Sequence, residues 1–172
     1  MNSSNFAGYI EEYGKAVYSF CMYLTKNKDD ADDLYQQTFL VAIEKNEINE
    51  DSNPKSYLIS IAANIWKNRL RKELWRKKKV DIVYFDDENH TEPADEHGSA
   101  EDSAVKNSEI AALRKCVLKL PDKLRPVVLM YYMEDMKISD IAKALKIPEG
   151  TVKSRLNKAK KHLKEWMADY EG

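Results

Sequence analysis

Glycine and proline are scarce, with five of each in 172 residues, and long stretches hold neither. Both residues punctuate strands and tight turns, so their scarcity argues against a sheet-rich fold. Leu, Ile, Ala, Lys and Glu fill the gaps, which predicts an all-α chain. Cysteine is nearly absent. Cys21 and Cys116 stand far apart, which argues against a disulfide-stapled scaffold and for two reduced thiols. The three histidines show no metal-ligand spacing, so neither a metal nor a cofactor is expected. No glycine-rich phosphate loop and no nucleophile–base pattern occurs, which sets enzyme classes aside. No apolar run approaches the roughly 18 residues of a membrane span. The start, MNSSNFAGYIEEYG, lacks a basic segment followed by an apolar one, so no secretion signal is expected.

Charge of one sign is also missing overall: the formal net charge is -1. That balance hides segregation along the chain. Residues 1–79 and 109–172 show helical periodicity. Residues 80–108 do not. From Asp81 to Glu109 ten acidic residues stand against one basic residue, Lys106. This stretch predicts an acidic, flexible linker between two small helical domains.

The carboxyl-terminal domain holds the strongest local signal. In PEGTVKSRLNKAKKHLKEW, Val152, Leu156, Ala159, Leu163 and Trp166 recur at spacings of four and three, on one side of a helix. Ser154, Asn157, Lys158 and Lys161 lie opposite, with Lys153 and Arg155 on the flanks. The basic residues therefore belong to an exposed face. Immediately before, ISDIAKAL makes a short amphipathic helix, with Ser139 as the expected N-cap. Pro148 disfavours helix at Ile147, and Thr151 is the expected cap of the next helix. Two helices and a tight turn make a helix-turn-helix, whose second helix enters the DNA major groove. Lys146 stands at the turn position that often holds glycine, so a positive φ there would carry strain.

Two stretches mark the amino-terminal domain. In DDADDLYQQTFLVAIEK, Ala31, Leu34, Tyr35, Thr38, Val41 and Ala42 share one helix face. Asp33, Gln36, Gln37 and Leu40 share the other. An apolar Leu40 among exposed polar groups hints at a protein contact. Asp30, Asp32 and Asp33 are expected in the first turn, where carboxylates suit the helix dipole. In NPKSYLISIAANIWKNRLRKELWRKKK, Leu58, Ile61, Ala62 and Ile65 form one apolar stripe, and Ile59, Ala63, Trp66 and Leu70 an adjacent one. A strip of Ser60, Asn64, Lys67, Asn68 and Arg71 remains. Amides suited to base edges and cations suited to phosphates mark it as a nucleic-acid footprint.

These three segments, in this order, resemble the sigma factors of bacterial RNA polymerase, in particular the short extracytoplasmic-function (ECF) group of the sigma-70 family. DADDLYQQTFLVAI is similar to the region two segment that docks on the polymerase clamp helices. NPKSYLISIAANIWKNRLRKELWRKK is similar to the part that melts and reads the minus-ten element. LPDKLRPVVLMYYMEDMKISDIAKALKIPEGTVKSRLNKAKKHL is similar to region four, which reads the minus-thirty-five element. The resemblance implies clamp contact by Asp32, Asp33, Leu34, Gln36, Gln37 and Phe39. It implies minus-ten contact by Asn64, Lys67, Asn68 and Arg71, and minus-thirty-five contact by Lys153, Ser154, Arg155 and Lys158. The loop NEINEDSN would help to capture a flipped base, and the acidic linker would run through polymerase channels. Tyr57 stands where many members have tryptophan, and Gln37 where glutamate is common.

The resemblance further implies a cytoplasmic chain that acts with core RNA polymerase (clamp and flap) on promoter DNA. An anti-sigma factor would restrain it, the free chain being a monomer and the complex 1:1. Envelope or other extracytoplasmic stress is the expected signal. The alternative is a stand-alone helix-turn-helix regulator, which would need a dimer interface and a palindromic site. A two-patch RNA-binding adaptor would leave DDADDLYQQTFL without a role.

Overall fold

Seven α-helices and one π-helical turn form the described residues 3–47, 53–80 and 105–171 of a computed structural model, with no strand among them. Most of the expected acidic linker and residues 48–52 of the NEINEDSN loop lie outside the described residues.

The amino-terminal bundle consists of α1 (Ser3–Thr25), α2 (Lys28–Lys45) and α3 (Pro54–Val80). Asn27 caps α2: its side chain accepts from the Asp30 amide at 2.8 Å. Asp29 and Asp30 occupy the first turn. Asp32 and Asp33 therefore lie one turn further on than expected. Asn46 ends α2 in the left-handed region, with φ 49°. At the start of α3, Asn53 accepts from the Ser56 amide at 3.3 Å, and Pro54 sits where a missing N–H costs nothing. Val17, Phe20, Cys21 and Leu24 meet Ala31, Leu34 and Phe39 of α2 and Leu58, Ile59 and Ala62 of α3 in the core. Thr38 is buried but satisfied, its hydroxyl donating to the Leu34 carbonyl at 2.7 Å. Cys21 and Cys116 are both free and buried. Burial pushes the Cys21 thiol up to about 12.

The carboxyl-terminal part contains α4 (Val105–Lys119), α5 (Arg125–Val128), a π-helical turn (Leu129–Met133), α6 (Ile138–Leu145) and α7 (Glu149–Glu171). Helix thus resumes at Val105, inside the stretch read as linker. Val152, Leu156 and Ala159 are buried, and Leu163 and Trp166 are partly buried, as their spacing predicts.

Both expected caps are displaced. Lys137, in extended backbone, is the N-cap of α6, and its carbonyl already accepts from Ile141 at 2.9 Å. Ser139 therefore lies inside the helix. Thr151 lies inside α7, because the Pro148 carbonyl closes the first turn through the Thr151 and Val152 amides. Lys146 does adopt positive φ, 58°. Its amide reaches the Lys143 carbonyl and the Ile147 amide reaches the Ala142 carbonyl. This is a Schellman stop with lysine where glycine is usual.

The two domains do not stand apart. Helix α3 packs on α6, and α1 meets α4, so the two sets of apolar side chains form one cluster. Arg125, 1% exposed, stitches the junction. Its guanidinium donates to the Leu120 carbonyl (2.7 Å), the Leu24 carbonyl (2.6 Å) and Asp122 (2.8 Å), and it sits 5.3 Å from the Trp66 ring centroid. Burial lowers its pKa, partly offset by Asp122. Lys55 of α3 lies 3.3 Å from buried Glu134, an ion pair by distance although that carboxylate oxygen has no aligned hydrogen bond. Burial raises Glu134 despite Lys55. Each half buries its own periodic stripe, which the sequence shows. The contact between halves uses charged groups, which periodicity assigns to the surface.

Candidate functional site

On α2 the structure separates the residues expected to dock on a protein. Asp33, Gln36 and Gln37 are exposed, and Leu40 and Ile43 extend the same face as exposed apolar side chains. Leu34 and Phe39 are core residues instead. Phe39 packs edge-on against Phe6 and Tyr35, at centroid distances of 5.9 and 5.0 Å. Neither presents atoms for docking in this arrangement.

The exposed polar groups are held in place by neighbouring helices. Arg69 of α3 donates to the Asp33 carboxylate at 2.7 Å and to the Gln37 side-chain oxygen. Asp32 accepts from the Tyr18 hydroxyl of α1 and from Lys28. Those two bonds, Tyr18 first, hold its carboxyl below the usual range. Sequence reasoning missed both Arg69 and Tyr18. Neither breaks its own helix's pattern, and the partner helix is invisible to periodicity.

On α3, Asn64, Lys67, Asn68 and Arg71 do share one strip. Asn68 and Arg71 are exposed, Asn64 and Lys67 half-buried. The Lys67 ammonium donates to the Leu145 carbonyl at the end of α6. Burial lowers its pKa, and the nearby Arg71, Arg155 and Lys146 add to the effect. The junction therefore gathers cations from both domains. One turn past Arg71, Trp75 is 63% exposed, a feature the apolar stripes did not anticipate.

On α7, Lys153, Ser154 and Lys158 are exposed and Arg155 is half-buried. Ser154, Arg155, Lys158, Lys161 and His162 line an open groove against Pro121, Lys123 and Leu124. Its cations Lys123, Arg155, Lys158 and Lys161 stand against one acid, Glu165, a balance that suits a phosphate backbone. Among the described residues no His, Cys, Asp and Glu cluster could hold a metal ion. No described helix is long and apolar enough to cross a membrane.

Comparison with known proteins assigns both halves. The family described as Sigma-70 region 2 matches residues 9–76, and that described as Sigma-70, region 4 matches residues 110–163. The chain is 30% identical over 157 residues to the ECF RNA polymerase sigma factor SigM of Bacillus subtilis, covering 88% of each protein. It is 29% identical over 174 residues to SigW of the same organism, covering 95% of this chain and 89% of SigW. Its fold is similar to that of the sigma factor RpoE of Bartonella quintana, solved in complex with the anti-sigma factor NepR. That match has a TM-score of 0.67 at 22% identity and covers 95% of this chain and 97% of RpoE. With both sigma regions matched in order and relatives aligned over nearly their whole length, the chain belongs to the extracytoplasmic-function group of RNA polymerase sigma factors.

Proposed function

We infer that this chain is an alternative sigma factor that binds core RNA polymerase and directs promoter-specific initiation. The observation that carries the reading is the order of the faces: a polar docking face on α2, an amide and cation strip on α3, and a basic helix-turn-helix in α6 and α7. It performs no chemistry of its own, acting instead as a specificity subunit of the polymerase in the cytoplasm.

In the mechanism we propose, Asp33, Gln36, Gln37 and Leu40 meet the clamp helices, with Asp32 at the edge. Leu34 and Phe39 support that face from within. Lys153, Ser154, Arg155 and Lys158 set register on minus-thirty-five duplex. Asn64, Lys67, Asn68 and Arg71 hold a minus-ten strand whose base has left the stack, so binding favours the melted state. The acidic segment keeps DNA-like charge in polymerase channels, and an anti-sigma factor restrains the chain until an envelope signal arrives.

The two elements lie about 25 base pairs apart, roughly 85 Å at 3.4 Å per pair. Helix α3 touches α6 in the closed chain, and Lys67 is engaged by Leu145. Polymerase must therefore separate the domains before both elements are read. Residues 81–104 have a maximum contour of roughly 80 Å at 3.3–3.6 Å per residue, and the stretch of α3 from Asn68 to Val80 adds about 18 Å, so together they can span that distance.

In vitro transcription over a library of promoter fragments tests the reading. Core polymerase plus this chain should initiate behind a shared two-part motif. Gln36→Ala with Leu40→Ala should lose those starts while keeping the fold. If core polymerase gains no specificity while the chain alone protects a palindrome, the stand-alone regulator replaces it.

A further inference from the structure

Trp75 is the most exposed of the large apolar side chains among the described residues, at 63%. Its place on α3 is informative. Asn64, Asn68, Arg71 and Trp75 follow one another at spacings of four, three and four. On a helix of 3.6 residues per turn, those spacings keep all four within an arc of roughly 60°. The indole falls between Asn68 and Arg71 around that arc. It therefore stands in the middle of the polar strip and continues it past Arg71. Lys72 and Lys78 flank it on the same side of the helix, both exposed, as Arg71 is. Glu73, the one acid in this stretch, points the opposite way. The exposed indole leaves a flat π face open to a partner, and its setting among amides and cations indicates which kind of partner that is.

We propose that Trp75 is a base-stacking platform, which extends the strand-reading strip by one further site for an unpaired nucleotide. This rests on the strip's role as a minus-ten strand reader. The chemistry fits: every base has a π face, so an aromatic ring accepts any of them, while flanking cations hold the adjoining phosphates. The geometry fits as well. Trp75 lies seven residues from Asn68, about 10 Å along the helix axis, which is about three nucleotide steps of 3.4 Å. The stacked nucleotide is thus about three positions from the one Asn68 meets, at the edge of the melted segment. A ring there holds the strand against re-annealing without reading its sequence.

The experiment uses holoenzyme and fork-junction promoter fragments chosen from those it transcribes. 2-Aminopurine replaces successive bases of the strand that the strip holds, since its fluorescence is quenched by stacking. One position about three nucleotides from the site most affected by Asn68→Ala should stay quenched with the parent chain. It should brighten with Trp75→Ala and stay quenched with Trp75→Phe. Open complexes of Trp75→Ala should dissociate at least 5-fold faster, as loss of one stacked base predicts. Equal quenching and equal lifetime in Trp75→Ala would overturn the proposal while leaving the sigma reading intact. So would weakened binding of Trp75→Ala to core polymerase without DNA, which would make the indole a protein contact. If the parent holoenzyme opens no promoter, the sigma reading itself fails.

Discussion

Replacing Lys146 by glycine should stabilise the protein, and the size of the effect reports on how the two domains unfold. Lys146 holds φ 58° and ψ 46°. A side chain in that region costs about 1–2 kcal/mol. Glycine removes the cost but loosens the unfolded chain by about 0.4–1 kcal/mol, which leaves a net gain of about 0.8 kcal/mol at the midpoints of the two ranges. The side chain is exposed, so little packing is lost. The charge needs a control, because Lys146 lies near Lys67. Lys146→Gln removes the charge and keeps the strained backbone. Differential scanning calorimetry on the parent, Lys146→Gln and Lys146→Gly supplies the assay. If the joined core unfolds as one unit, each kcal/mol raises Tm by about 2–4 °C in a single transition, whereas an independent small domain would shift by about 4–8 °C. A glycine variant no more stable than the glutamine one would refute the strain argument, and two transitions with only one moving would refute the shared core.

Four further outcomes follow from particular contacts. Arg69→Met should change stability by no more than about 1 kcal/mol, as exposed pairs do, yet weaken binding to core polymerase about 5- to 10-fold, because Asp33 and Gln37 lose their anchor; fluorescence anisotropy with labelled chain reads both binding curves. Lys153→Ala and Lys158→Ala should each weaken promoter binding evenly across sequences and lower the salt slope by about 1, measurable by filter binding at several salt concentrations. Burial lifts Glu134 above its unfolded value, so the stability tied to its neutral form is full below the ordinary glutamate pKa of about 4.3 and is lost as pH rises through the raised value. Glu134→Gln should therefore match the parent in urea midpoint at acid pH and exceed it at neutral pH. Lys55→Glu places a second carboxylate against Glu134 and should open the free chain, raising the small-angle scattering radius of gyration from about 16 Å, the compact value for this length; an unchanged radius would mean that the ion pair has no part in closure.

Which parts were legible in the sequence depended on the range of the interaction. The buried stripe of α7 was readable because Val152, Leu156 and Ala159 repeat within one helix. The left-handed Lys146 was readable because the break at Ile147 and Pro148 is local. Ser139 and Thr151 were misplaced as caps because the cap falls where extended backbone ends, at Lys137 in one case, and side-chain type alone does not locate that point. Leu34 and Phe39 belong to the docking motif in sequence yet to the core in space, since a helix that docks outward must also pack inward. Arg69, Arg125 and Glu134 escaped altogether. Their partners lie on other helices, and a charge pattern assigns such residues to water.

The Arg125 stitch has a consequence for synthesis. Leu24 and Trp66 leave the ribosome well before Arg125 exists. At about 5–20 residues per second, the interval from Trp66 to Arg125 lasts about 3–12 s. During that interval the nascent amino-terminal bundle displays its uncovered α3 surface with no carboxyl domain to close upon it. In that interval nothing engages Lys67, whereas in the finished chain its ammonium is held by the Leu145 carbonyl at the end of α6. The order of synthesis thus makes the open amino-terminal bundle an obligatory early stage, and the closed chain a state reached only once α6 has been made.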